Sequence, residues 1–141
     1  MNDKRLESGY WALRIAFGVV PIVAGLDKFT NLLADWQGYL SPLARQMLPV
    51  SPQAFMHFAG VVEVVVGLAV LTRFTRVAAY VACAWLVCIA LNLVASGHFL
   101  DIAARDLTMA VSAFTLGRLA EVHDEATARA AQTAAMRPAK A

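Results

Sequence analysis

Four apolar stretches of about 20 residues constrain what this chain can fold into. They cover residues 10–29, 52–71, 77–95 and 102–120. Each has the length that an α-helix needs to cross a hydrocarbon core of about 30 Å. The chain is 60% hydrophobic, whereas soluble domains are usually about 45–50% apolar. No alternating strand pattern is present, so the sequence predicts an all-α integral membrane protein, a four-helix bundle with up-down-up-down topology.

The connections between the stretches predict one domain over residues 1–120 and a cytoplasmic tail over residues 121–141. The tail is rich in alanine and charged residues. Its first half is expected to extend the fourth helix, and its end, Met136–Ala141, to be disordered.

The one long connection, residues 30–51, predicts a structure of its own. Its apolar residues share one helical face: Leu32, Leu33, Trp36 and Leu40. This pattern is typical of a short amphipathic helix at the membrane–water interface. An ordinary loop packed on the end of the bundle is the alternative.

The distribution of lysine and arginine predicts the orientation. An even number of spans places both termini on one side of the membrane. Nine of the 12 Lys and Arg residues fall on that side, leaving Lys28, Arg45 and Arg105 opposite. Because cytoplasmic loops carry the excess of positive charge, we expect a multi-pass protein of the inner (plasma) membrane with both termini in the cytoplasm.

Charged residues occur inside these apolar stretches, and the sharpest case is the carboxylate of Glu63. On membrane-insertion scales a charge near the bilayer centre costs about 2.5–3.5 kcal/mol, so partners must offset it. The predicted topology brings polar residues of all four stretches to the same outer end. They are Asp27, Lys28, His57, Asn92, Arg105 and Asp106.

Helical periodicity of about 100° per residue also places these polar residues beside small ones. Glu63 shares a stripe with Gly60 and Gly67, and Lys28 shares one with Gly18 and Gly25. Glycine stripes mark close helix packing in membranes, so Glu63 is expected to face inward. Two interpretations remain: a neutralised network that fixes the register of the helices, or the lining of a pocket that binds a small molecule or relays protons.

Several kinds of site find no support in the pattern. The net charge is only +2, so no electrostatic footprint for nucleic acid is present. Cys83 and Cys88 are five residues apart in one helical stretch, which does not suit a disulfide. His57 and His98 lie near acidic residues but match no metal-binding spacing, so no metal is predicted.

The chain resembles the DoxX family of small integral membrane proteins. The resemblance rests on Leu13–Gly18 and Ala24–Phe29, on Gly60-x-x-Glu63-x-x-x-Gly67, on Thr72-Arg73 and on Arg105-Asp106. It implies a four-helix membrane bundle. The family includes subunits linked to thiosulfate:quinone oxidoreduction and proteins that partner soluble redox enzymes. Its polar positions correspond here to Lys28, Glu63 and Arg105.

These observations predict a membrane component of a quinone-linked redox system. Glu63 is the expected catalytic residue, as a proton acceptor, while Asp27, Lys28, His57, Asn92, Arg105 and Asp106 are expected to bind a small hydrophobic ligand such as a quinone. No covalently bound cofactor is expected, so an enzyme activity would be that of an oxidoreductase subunit working with a soluble redox partner. The alternatives are a non-catalytic anchor or assembly factor and, less favoured, a small transporter.

Overall fold

A computed structural model describes residues 4–136, and all regular structure within this range is helical. The long helices are α1 (Lys4–Asp27), α3 (Pro52–Leu71), α4 (Thr75–Ser96) and α5 (Leu100–Ala135). A 3-10 helix (Trp36–Tyr39) and the short helix α2 (Pro42–Met47) lie between α1 and α3. Positions 137–141, where disorder was predicted, lie outside the described residues.

Three of these helices, α1, α3 and α4, are long and apolar enough to cross a membrane. Their outward faces carry large apolar side chains, such as Val61, Val65 and Leu68 of α3, each about half exposed. Lipid, unlike water, solvates such surfaces without penalty. The fourth crossing remains a prediction, because charged residues limit the uncharged part of α5 to positions 107–117.

Glycines bring α1 and α3 into backbone contact. A Cβ built on Gly60 would lie 2.6 Å from the carbonyl oxygen of Gly25, and one on Gly67 would lie 2.6 Å from that of Gly18. Gly25 faces Gly60 and Gly18 faces Gly67, so the two helices run antiparallel. Both pairs belong to the stripes predicted from the sequence, which explains why α1 packs chiefly on α3.

Small residues also bring α4 and α5 together. The buried faces are formed largely by alanines, including Ala79 and Ala82 of α4 and Ala110 and Ala113 of α5. A core cluster joins this pair to α1 and α3 through Phe17, Val70 and neighbouring residues. It lies toward the end of the molecule where α3 turns into α4. We call this the turn end, and the end with the α1–α3 connection the loop end.

At the turn end, Arg14 binds the carboxyl terminus of α3. Its guanidinium donates to the carbonyl oxygens of Val70 (3.1 Å), Leu71 (3.0 Å) and Thr72 (2.6 Å). The last carbonyls of a helix lack intrahelical partners and carry partial negative charge. Arg14 therefore caps α3 from the neighbouring helix α1.

The first part of the α1–α3 connection differs from the amphipathic helix that was predicted there. Positions 32–35 are irregular, and Leu32 and Leu33 are exposed. The helical part is divided between the 3-10 helix and α2, which Ser41 caps by accepting from the amide of Ala44. The expected face containing Leu32, Leu33, Trp36 and Leu40 therefore does not form, because the chain between Asn31 and Asp35 is bound to a carboxylate described below.

Candidate functional site

Glu63 and Lys28 form a buried ion pair at the loop end. The Nζ of Lys28 lies 2.6 Å from Oε2 of Glu63, and the two residues are only 6% and 8% exposed. The indole Nε1 of Trp85, on α4, donates to Oε1 of Glu63 at 3.3 Å. Both carboxylate oxygens are thus bonded, so two neighbouring helices offset the burial of this charge.

The ammonium of Lys28 is covered by the indole of Trp36. Its Nζ lies 3.7 Å from the centroid of the Trp36 ring, a cation–π distance. The Nε1 of Trp36 donates to Oδ2 of Asp27 at 2.7 Å. An aromatic side chain of the connection thus closes the ion pair from the loop side.

Asp27 organises the start of the connection. Its carboxylate accepts from the hydroxyl of Thr30 (3.0 Å) and from the amides of Leu32 (3.0 Å) and Leu33 (3.1 Å), besides the indole of Trp36. Amides bound to a side chain are unavailable for helical hydrogen bonds. Asp27 therefore ends α1 and prevents a helix from continuing through positions 32–35.

Asn92 holds the other part of the connection. Its Nδ2 donates to the carbonyl oxygen of Tyr39 at 2.8 Å, and its Oδ1 accepts from the amide of Ser41 at 3.1 Å. His57 lies at the same end, with its ring stacked on Phe29 at 4.8 Å between centroids. Asn92 and His57 are thus near the ion pair but are engaged with other groups.

Arg105 and Asp106 form a separate pair on α5. The Nη2 and Nε of Arg105 lie 3.1 and 3.2 Å from Oδ1 of Asp106. The Asp106 side chain is buried, whereas that of Arg105 is 65% exposed. Among the described residues, no hydrogen bond or ion pair joins this pair to Lys28 or Glu63. The structure thus places the predicted site residues at the loop end in four separate sets of contacts rather than in one connected network.

The site contains hydrogen-bonding and charged groups, but its described residues include too few neighbouring ligands to hold a metal ion. Within residues 4–136, no group of three His, Cys, Asp or Glu side chains could hold a metal ion. Cys83 and Cys88 are free thiols. Two apolar grooves, of about 520 and 330 Å³, lie along α4, and neither is lined by Glu63 or Lys28. The chemistry available at the ion pair is proton transfer and the binding of polar groups.

The two tryptophans that contact the ion pair were not among the predicted site residues. Trp85 lies 22 positions from Glu63, and Trp36, at the start of the 3-10 helix, lies eight positions from Lys28. Tryptophan in an apolar stretch is usually a packing or interfacial residue. One signal was available in the sequence. The indole N–H of Trp85 lies in an apolar stretch and needs an acceptor, and the carboxylate of Glu63, in another apolar stretch, could supply one.

The DoxX family model matches residues 9–98. The match contains α1 from Gly9 onward, α3, α4 and the whole α1–α3 connection. It therefore includes Lys28, Glu63, Trp36 and Trp85. It ends before α5, so Arg105 and Asp106 lie outside it. No curated protein and no solved structure matches the chain.

Proposed function

Since the chain belongs to the DoxX family, we propose that this multi-pass membrane protein is a component of a quinone-linked redox system. Glu63 is the proton acceptor in this proposal. The single observation that carries it is the burial of the Lys28–Glu63 pair between helices able to cross a membrane. Ionisable residues at such positions are costly, and they usually mark ligand or proton pathways.

The contacts of Glu63 suit a group that gains and loses a proton. Lys28 and Trp85 bond the anionic carboxylate on separate oxygens. The proton that Glu63 accepts would come from a hydroxyl of a reduced quinone, and Lys28 would then hold that quinone oxygen through its remaining positive charge. The electrons pass between the quinone and a cofactor of a soluble partner enzyme, because the two cysteines of this chain are not spaced as a redox pair.

The remaining loop-end residues would position the ligand. Trp36 lies over Lys28, so a ligand that reaches Glu63 from the connection has to displace this indole. Asp27 and Asn92 hold the connection at either end, while His57 flanks it. Arg105 and Asp106 offer a second polar group on α5, where the exposed guanidinium is free to move toward an anion.

The proposal includes a topology in which α5 crosses the membrane as the fourth span of an up-down-up-down bundle. Two contacts support it: Tyr10 near the start of α1 stacks on His123 of α5 at 4.6 Å, and Tyr80 of α4 bonds Glu121 of α5 at 3.0 Å. Both join α5 to the turn end. In this topology the excess of Lys and Arg on the side of the termini favours an orientation with the turn end and both termini in the cytoplasm. The membrane in this proposal is the inner (plasma) membrane.

The variant Glu63→Gln tests the proposal. We expect it to accumulate in membranes less well than the wild type, because the charge of Lys28 stays buried without its partner. Its folded fraction is expected to bind a short-chain ubiquinone about tenfold more weakly, since a hydrogen bond to a charged group is worth about 1.5–3 kcal/mol. Quenching of tryptophan fluorescence by the quinone in detergent measures binding. Glu125→Gln, in an exposed pair with Arg129, is the matched control. Unchanged affinity in Glu63→Gln contradicts the proposal.

A non-catalytic anchor is the second candidate, and the length of α5 favours it. The helix continues to Ala135, and nearly all its residues after His123 are exposed, which leaves a helical extension for a partner enzyme. If Glu63→Gln accumulates poorly but binds the quinone like the wild type, while Glu125→Gln accumulates normally, the ion pair serves assembly, and the anchor function replaces the quinone function.

A further inference from the structure

The larger apolar groove lies along the first half of α4, at the turn end. It has a volume of about 520 Å³ and is lined by Arg76, Val77, Tyr80, Val81 and Ala84. These residues form one helical stripe that descends from the start of α4. Since α4 is one of the helices able to cross a membrane, the groove faces the hydrocarbon region below Arg76.

The depth of the groove corresponds to one leaflet of a bilayer. From Arg76 to Ala84 the helix rises by about 12 Å, and half of a hydrocarbon core is about 15 Å. The ring of Tyr80 forms one wall and is fixed by α5. It packs over Gly117, where a Cβ would lie 2.8 Å from the ring, and it contacts Phe114 edge-on at 5.8 Å between centroids.

Positive charge lies at the end of this groove that is nearest the start of α4. Glu121 accepts from the hydroxyl of Tyr80 and pairs with both Arg76 and Arg118. Two arginines thus share one carboxylate, and their side chains are 56% and 63% exposed. Arg73, also exposed, lies in the turn before α4. The cluster has an excess of positive charge and guanidinium N–H groups available to an anion.

We propose that this groove binds one anionic phospholipid. The phosphate contacts Arg76 and Arg118, and an acyl chain lies along Val77, Val81 and Ala84. A diffusible phosphate would use the arginines without the apolar stripe, and a neutral lipid would use the stripe without the charge. The combination fits a diester phosphate attached to a chain. The site is at the opposite end from Lys28 and Glu63, so it does not depend on the function proposed for them.

The test uses the full chain in nanodiscs of phosphatidylcholine, titrated with long-chain phosphatidylglycerol, and follows bound lipid by native mass spectrometry. We expect Arg76→Gln to weaken binding about fivefold, from the usual contribution of one basic residue near a charged lipid surface. Ala84→Phe, which fills the lower groove and leaves the arginines intact, is expected to weaken it similarly. Arg129→Gln, an exposed arginine farther along α5, is the matched control.

Further arms separate the sources of phosphate and guard against misfolding. Glycerol 3-phosphate and inorganic phosphate are expected not to displace the lipid, even at the concentration at which the lipid saturates the protein. Circular dichroism is expected to show the wild-type helical content for each variant. The proposal is overturned if Arg76→Gln binds like Arg129→Gln, if Ala84→Phe binds like the wild type, or if free phosphate displaces the lipid.

Discussion

At the scale of single residues, the Lys28–Glu63 pair is the most demanding feature of the molecule. A buried charge that loses its partner is strongly destabilising, whereas removing both charges is often nearly neutral. Lys28→Met leaves Glu63 with only the indole of Trp85. We expect it to lower the free energy of unfolding by about 3–5 kcal/mol, and the double variant Lys28→Met with Glu63→Gln to recover most of this loss.

Unfolding in detergent micelles, followed by circular dichroism, measures these differences. Arg129→Met breaks the exposed pair with Glu125, whose side chains are 78% and 67% exposed, and is expected to change stability by less than about 1 kcal/mol. If Lys28→Met and Arg129→Met had the same free energy of unfolding, the buried pair would not stabilise the fold.

The residue scale also shows where sequence reasoning stops. Periodicity predicts which face of a helix carries Glu63, because the face depends only on position. It does not predict how far a long side chain reaches. Trp36 contacts Lys28 from the 3-10 helix of the connection, and Arg14 reaches three carbonyl groups at the end of another helix. Such contacts depend on rotamers and loop conformation, which spacing along the chain does not encode.

At the scale of helices, the glycine contacts between α1 and α3 determine how closely these helices approach. A methyl group at position 60 would meet the backbone of Gly25, which cannot move without the whole of α1. We expect Gly60→Ala to lower the free energy of unfolding by about 1–3 kcal/mol, as overpacking does in other cores.

Gly9→Ala is the matched control for Gly60→Ala. Gly9 is also in a long helix, but a Cβ there meets nothing within 4 Å, so its replacement is expected to be neutral or to stabilise by less than about 1 kcal/mol. Both variants are compared by thermal unfolding in the same detergent. Equal stability of the two would mean that α1 and α3 do not approach as closely as described.

Helix boundaries were predicted well where the chain itself supplies start signals. The helix α3 has the bounds of the predicted stretch, residues 52–71. Its start is marked by a capping serine, Ser51, followed by proline. The α1–α3 connection was predicted less well, because the carboxylate of Asp27 removes amides that a helix over positions 32–35 would need. Local pattern favoured a helix there, and a tertiary hydrogen-bond acceptor overrode it.

At the scale of the whole molecule, the proposed topology predicts that α5 crosses the membrane. In a variant lacking Cys83 and Cys88, single cysteines at Gln46 and Thr127 report opposite sides of a four-span protein. We expect an impermeant maleimide to label Gln46→Cys in intact spheroplasts and Thr127→Cys only after permeabilisation. Labelling of both in intact spheroplasts would mean that α5 does not cross, and the reverse pattern would mean the opposite orientation.

The ion pair also has a consequence for biosynthesis. Lys28 and Glu63 are 35 positions apart, so at about 5–20 residues per second the lysine leaves the ribosome several seconds before its partner. When α3 enters the membrane, the counter-charge for its carboxylate is therefore already present on α1. Arg14 is likewise synthesised before the carbonyl groups at the end of α3 to which it donates. We therefore expect the integration of α3 to depend on α1, with the hairpin of α1 and α3 inserting as one unit.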